Sequence, residues 1–193
     1  MEQNLINMEA EDYIDQLIET EREGMNQRAK WISEHRPQYS HGMSMFGGEK
    51  ALTLYEDSQL SYIYGTFSGS ILLSQSFIEQ SICAMAHDAG EFTEDDLLGY
   101  HDAVNFLTER DIVDPNEVSG VPLDELHNLR NPVAHFRDPS DEDSLSRRKV
   151  TNARNEPESV APTTNEMLKD DAEKILKTVF SVATLFGVGY RSD

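Results

Sequence analysis

Positive charge is what this chain lacks most. It carries 16 lysines and arginines against 36 aspartates and glutamates, a net charge of −20 with histidine neutral. That balance excludes a surface that is basic throughout, as general binding to nucleic-acid backbones requires. Cysteine is almost missing. Cys83 stands alone, so no internal disulfide forms, and the composition fits a reducing cytoplasm. No run of 18 apolar residues occurs, so no membrane-spanning helix is expected. The opening Met1-Glu2-Gln3-Asn4 lacks the basic and apolar regions of a secretory leader. His35, His41, His87, His101 and His127 have no His, Cys or carboxylate spacing typical of zinc, and no metal or other cofactor is expected. Gly-x-Ser-x-Gly and phosphate-loop patterns are absent as well.

The acidity has two readings, both open. A carboxylate surface suits a salt-rich cytoplasm, where screening over about 3 Å at 1 M salt makes self-repulsion tolerable. The other reading is an ordinary acidic protein. The charge is uneven. Residues 130–154 hold Arg130, Arg137, Arg147, Arg148, Lys149 and Arg154 against Asp138, Asp141, Glu142 and Asp143, six cations to four carboxylates. That local excess of +2 leaves −22 on the remainder. An anionic ligand is steered to this island if anywhere, which makes Arg137, Arg147 and Arg148 candidate phosphate binders. The competing reading is a solvated loop that carries arginines.

With 193 residues, 38% of them hydrophobic, the chain is long enough for one domain over 1–193 with its own core. Apolar spacing predicts a helix from Glu9 to about His35, with Ile14, Ile18, Met25, Ala29 and Ile32 on one stripe and Pro37 ending it. Residues 38–50, with three glycines, read as a loop carrying His41, Met43, Met45 and Phe46 over the core end. A second long helix is predicted from Leu60 to about Ala89, burying Phe67, Ile71, Ser74, Ile78, Ile82 and Met85, with Gly90 as C-cap. Thr93, Asp95 and Asp96 cap a third, running to about Arg110 on Leu97, Tyr100, Val104 and Leu107. A short helix follows from Leu123 to about Leu129. Residues 138–162 read mostly as mobile polar loop, with a short helix near Leu145–Val150. Thr163 and Glu166 form a capping box for a last helix reaching Phe186 on Leu168, Ile175, Val179 and Val182. No strand pattern competes. The expected fold is all-α, an antiparallel bundle of four principal helices plus short ones.

One stretch concentrates chemistry: Leu126-His127-Asn128-Leu129-Arg130-Asn131-Pro132-Val133-Ala134-His135-Phe136. Arg130 is a permanent cation, and His135 exchanges a proton near neutral pH. A phosphate clamp beside a proton shuttle suits phosphodiester chemistry. Asn131 and Pro132 are a good N-cap and first helical residue, so the helix is expected to restart or kink there. On an unbroken helix, positions five apart face about 140° away from each other. A kink or a second subunit is therefore needed to bring Arg130 and His135 onto one ligand. Glu79 is the lone carboxylate between Gly69 and Ala86, and a charge so placed needs a partner. Either it pairs with Arg130 and aims it, or it sits at the helix surface.

Arg130 to His135, an Arg-x4-His pattern within a helical chain of this size, resembles the signature of the HEPN superfamily (higher eukaryotes and prokaryotes nucleotide-binding domains). Glu79, after Leu72-Leu73-Ser74-Gln75-Ser76-Phe77-Ile78, is similar to the acidic position many members carry on their second long helix. The resemblance implies a small helical bundle and a metal-independent endoribonuclease of toxin or antiviral-defence type. It implies a homodimer whose two motifs share one cleft, RNA as substrate, and an antitoxin or defence-system partner protein. Arg130 would polarise the scissile phosphate. His135 would act as general base or acid, and Asn131 would orient one of them. Attack by the ribose 2′-hydroxyl would leave a 2′,3′-cyclic phosphate. Where some HEPN toxins carry a modifiable Tyr two residues after the His, this chain has Arg137, so regulation by that route is not expected. Two alternatives stand beside the nuclease: a non-catalytic HEPN-type nucleotide- or protein-binding module, and an acidic helical interaction protein.

Overall fold

The structure is a computed structural model, and it describes residues 10–38, 43–90, 98–134, 144–155, 162–186 and 188–189. Seven α-helices are seen among them: α1 (Ala10–His35), α2 (Gly48–Ile63), α3 (Phe67–Ala89), α4 (Tyr100–Glu109), α5 (Leu126–Ala134), α6 (Leu145–Asn155) and α7 (Thr164–Phe186). Single 3-10 turns occupy Pro115–Glu117 and Leu123–Glu125. The all-α expectation holds, with one small addition. Strands β1 (Met43–Ser44) and β2 (Val188–Gly189) pair antiparallel, Met43 opposite Gly189 and Ser44 opposite Val188. Among the described residues no helix is long and apolar enough to cross a membrane.

The core forms around α3, which packs against α2 and α7 on one side and against α4 and α5 on the other. Ile71, Ile78 and Ile82 of α3 are fully buried with Tyr55 and Tyr62 of α2 and Ile175, Leu176 and Val179 of α7. Aromatic rings join the layers: Tyr55 lies 5.5 Å from Phe77 and 6.3 Å from Phe180 by ring centroids. Burial of each such side chain contributes roughly 1.5–3 kcal/mol.

The helix expected over Leu60–Ala89 is two helices, and the loop expected over 38–50 ends at Gly48. Gly65 makes the break, at φ 76°, where a side chain would be strained. The buried face of α2 is Ala51, Tyr55, Ser58, Gln59 and Tyr62, too polar to stand out as an apolar stripe. Its polar members are satisfied locally. Ser58 Oγ and Gln59 Nε2 both donate to the Tyr55 carbonyl, at 2.9 and 2.8 Å. Ser70 Oγ then donates to the Ser58 carbonyl at 2.9 Å, tying α3 to α2.

The predicted stripe of α1 is covered only in part. Ile32 is buried and Met25 half-buried, but Ala29 is exposed, and Ile14 and Ile18 are 53% and 56% exposed. The cause is length. Arg28 Nε donates to the carbonyl of Ile63, the last residue of α2, at 2.7 Å. The first half of α1 therefore runs past the end of its neighbour.

Within 138–162 the short helix expected near Leu145–Val150 is present and longer than expected: α6 occupies Leu145–Asn155. Ser144 caps it, its Oγ accepting from the Arg147 amide at 3.1 Å. Residues 138–143 and 156–161 lie outside the described residues. The capping box opening α7 is present. Thr163 N donates to Glu166 Oε2 at 2.7 Å, and Glu166 N donates to Thr163 Oγ1 at 3.2 Å. Those bonds hold the Glu166 carboxyl below the usual carboxylate range. Ile175, Val179 and Val182 are buried as expected and Leu168 half-buried; the Phe186 side chain lies outside the described residues. For the third helix the described start is Tyr100, and the proposed caps Thr93, Asp95 and Asp96, with Leu97, lie outside them.

Candidate functional site

Between α4 and α5 the chain is pinned to α7. Gly120 has φ 99°, and a Cβ there would stand 2.5 Å from the Lys174 carbonyl oxygen. Only glycine permits that approach. The next residue donates its amide to Thr178 Oγ1 at 2.7 Å. Tyr100 Oη donates to the Leu123 carbonyl at 2.8 Å, and Leu123 and Leu126 are fully buried. These anchors set where α5 starts. Leu129 and Val133 then pack on the core from the same helix, and α5 lies against α3.

Arg130 and Asn131 are therefore residues of a helix packed on α3, the helix that carries Glu79. Asn131 is half-buried. The expected restart at Asn131-Pro132 does not occur: α5 runs from Leu126 through both residues to Ala134. The 3-10 turn at Leu123–Glu125 serves as the helix entry instead. Pro132, seventh of the nine described residues of α5, has no N–H for the carbonyl of Asn128. The side chains of Arg130 and His127, and His135 and Arg137 altogether, lie outside the described residues.

Glu79 is half-buried, and Gln75 Nε2 donates to its Oε1 at 2.6 Å. Gln75 itself is 4% exposed. Among the described residues its Oε1 has no hydrogen-bond partner, and neither has the buried Ser74 Oγ. Burial pushes the Cys83 thiol up, and the Glu79 carboxylate pushes it further. The Tyr100 hydroxyl is raised well above its ordinary value by burial first, then by Glu79, Cys83 and Asp124. Two carboxylates thus act on the hydroxyl of Tyr100, the first residue of α4, where it bonds the turn that leads into α5.

The candidate phosphate-binding arginines are not gathered there. Arg148 is engaged by α7: its Nη1 and Nη2 donate to Asp171 Oδ2 and Oδ1 at 2.7 and 2.9 Å, a bidentate fork. Asp171 is almost fully buried, with Lys174 Nζ 3.8 Å away. Arg147 is exposed on α6. Among the described residues no three His, Cys, Asp or Glu side chains converge on a metal-sized site. Gln75 and Tyr100 are neighbours of Glu79 that the sequence argument passed over. The first had a signal, a Gln and a Glu four apart on one helix. The second had none, because it comes from another helix.

Two clefts open elsewhere among the described residues. One, of about 540 Å³, lies between the end of α1 and α7, over Phe180, with His35, Glu117 and Lys177 at its rim. The other, of about 560 Å³, lies beside α4 and is walled by Asn105, Thr108, Pro115, Asp124 and Glu125. Compared with family models, with curated proteins and with solved structures, the chain finds no match.

Proposed function

We propose that this chain is a metal-independent endoribonuclease of the HEPN type, acting in toxin or antiviral-defence systems. The observation that carries the reading is the pairing of α5 with α3. It puts the helix bearing Arg130 and Asn131 against α3, which carries a half-buried carboxylate, Glu79, and a buried acceptor, Gln75 Oε1, that has no hydrogen-bond partner among the described residues. Such a neighbour suits a guanidinium that must be aimed, because a half-buried negative group is stabilised by a cation brought to it.

The chemistry assigns one role to each group. The ribose 2′-oxygen attacks the adjacent phosphorus while the His135 imidazole takes its proton. The Arg130 guanidinium neutralises the charge that grows on the phosphoryl oxygens. The P–O5′ bond breaks, the leaving oxygen takes a proton from an imidazolium, and the products are a 2′,3′-cyclic phosphate and a 5′-hydroxyl. Asn131 orients the phosphate or the imidazole. Helix α5 is unbroken as far as Ala134. If it ran on, positions 130 and 135 would face about 140° apart, so the proposal places Arg130 of one copy with His135 of a second. The test is RNA incubated with the protein in EDTA, beside Arg130→Ala and His135→Ala. Cyclic-phosphate ends from wild type and a loss of at least about 100-fold in each variant support the nuclease. Intact RNA with wild type, across salt and pH, refutes it.

A second reading, a nucleotide- or protein-binding module without catalysis, is favoured by the fork between Arg148 and Asp171. That fork spends one of the few cations of the basic island inside the fold. Nucleotide binding without RNA cleavage would support it.

A further inference from the structure

The cleft between the end of α1 and α7 has the size and the lining of a small-ligand site. Its volume, about 540 Å³, falls among the roughly 300–1,000 Å³ of pockets that hold small molecules. The floor is aromatic. Phe180 is 4% exposed, and its ring centroid lies 6.4 Å from that of Trp31 and 6.3 Å from that of Tyr55. On the α1 wall Trp31 stacks on His35 at 4.2 Å, with the rings 18° apart. His35 Nδ1 donates to the Trp31 carbonyl at 2.8 Å, which fixes the imidazole against α1. Pro37 and Leu185 complete the apolar lining. A flat ring laid on Phe180 gains apolar burial and aromatic contact from one surface.

Charge selects the head group of the ligand. Two of the three lysines of α7 are spoken for: Lys169 Nζ is 2.7 Å from Glu173 Oε1, and Lys174 Nζ is 3.8 Å from Asp171 Oδ1. Lys177 lines the cleft and forms no ion pair among the described residues. Glu173, one turn earlier, is taken by Lys169 and by the Tyr62 hydroxyl. Beside Lys177, Ser181 Oγ accepts from the Ser119 amide at 3.2 Å, so its own proton is left to donate. An ammonium and a hydroxyl donor next to an apolar floor suit a carboxylate. Glu117 stands at the same rim and opposes a second negative charge, so a polyphosphate is disfavoured.

We propose that this cleft binds a flat aromatic monocarboxylate, with its ring on Phe180 beside Trp31 and its carboxylate on Lys177 and Ser181. The walls belong to α1, α7 and the segment 117–119, none of them to α5, so this inference is independent of the nuclease reading. The probe is 2-naphthoate, titrated into the full chain by calorimetry and by nitrogen–proton correlation NMR. Trp31 is the only tryptophan, so its single indole N–H signal reports the cleft itself. Lys177→Gln is the variant. Its side chain is exposed and outside every ion pair among the described residues, so the variant should unfold at the wild-type temperature. The expected result is one-to-one binding with a Kd of about 1 mM or tighter, in keeping with a ligand of that size. The Trp31 indole signal should shift on binding, and Lys177→Gln should bind at least tenfold more weakly. The neutral naphthamide should bind both proteins alike, and a naphthalenedicarboxylate more weakly than 2-naphthoate. No saturable binding by wild type, equal binding by the variant, or an unmoved indole signal overturns the inference. So does tighter binding of naphthylmethylammonium, which would make Glu117 the anchor and a cation the ligand.

Discussion

Glu79 shows how one carboxylate can be tested through its neighbours. It raises the Cys83 thiol from the next turn of α3, and a thiol reacts as its thiolate. Glu79→Gln should therefore label Cys83 several-fold faster with a thiol reagent near pH 8 in the folded protein. An unchanged rate would mean that the carboxylate does not act on this face. On the opposite side of α3, Glu173 binds the α2–α7 seam. Burial pushes its carboxyl up, but hydrogen bonds from Lys169 and the Tyr62 hydroxyl outweigh that and leave it below the ordinary range. The Tyr62 hydroxyl is raised in turn, by burial first and then by Glu173. A folded carboxyl held below its unfolded value contributes stability that is full above the unfolded value, near 4.3. That stability is lost as pH falls through the folded value. Urea midpoints measured from pH 7 down to pH 3 should fall for wild type, and Glu173→Gln should fall less. Parallel curves would contradict this.

Among the elements, the connection from α4 to α5 deserves the sharpest test, because it sets the start of the motif helix. Gly120→Ala puts a Cβ 2.5 Å from a carbonyl oxygen at positive φ. It should cost about 2 kcal/mol or more, read as a lower urea midpoint with unchanged slope. Wild-type stability would mean that this loop does not rest on α7. Elements with a strong internal period were legible in the sequence. The buried face of α7, its Thr163–Glu166 box and the apolar stripe of α3 all came from spacing alone. The fold departed from the sequence pattern where the deciding fact was non-local. Gly65 sits between two helices whose patterns run on into each other. The buried face of α2 hides behind Ser58 and Gln59, which are satisfied by their own backbone. The stripe of α1 was readable as a face, but periodicity does not say what covers it. Pro132 looked like a helix restart, yet α5 begins at Leu126, six residues earlier, with Leu123 and Leu126 buried at its entry, and runs through it. For the site, Glu79 was legible as an isolated carboxylate, whereas Tyr100 and the Arg148–Asp171 fork depend on contacts between distant segments.

At the scale of the whole molecule the net charge of −20 dominates. Self-repulsion destabilises the compact state, and salt screens it. The urea midpoint should rise between 0.1 and 1 M sodium chloride, and a fall would mean that surface ion pairs outweigh repulsion. On the proposed nuclease reading the same charge opposes RNA binding outside the basic segment 130–154, so that reading depends on a compact site completed by a second copy. Mixing the two inactive variants tests this most directly. If Arg130 of one copy works with His135 of the other, a mixed dimer of Arg130→Ala and His135→Ala retains one intact site. The account predicts that the mixture, in EDTA, regains cyclic-phosphate formation that neither variant has alone. A mixture as inactive as its parts, under conditions where wild type cleaves and subunits exchange, would contradict it.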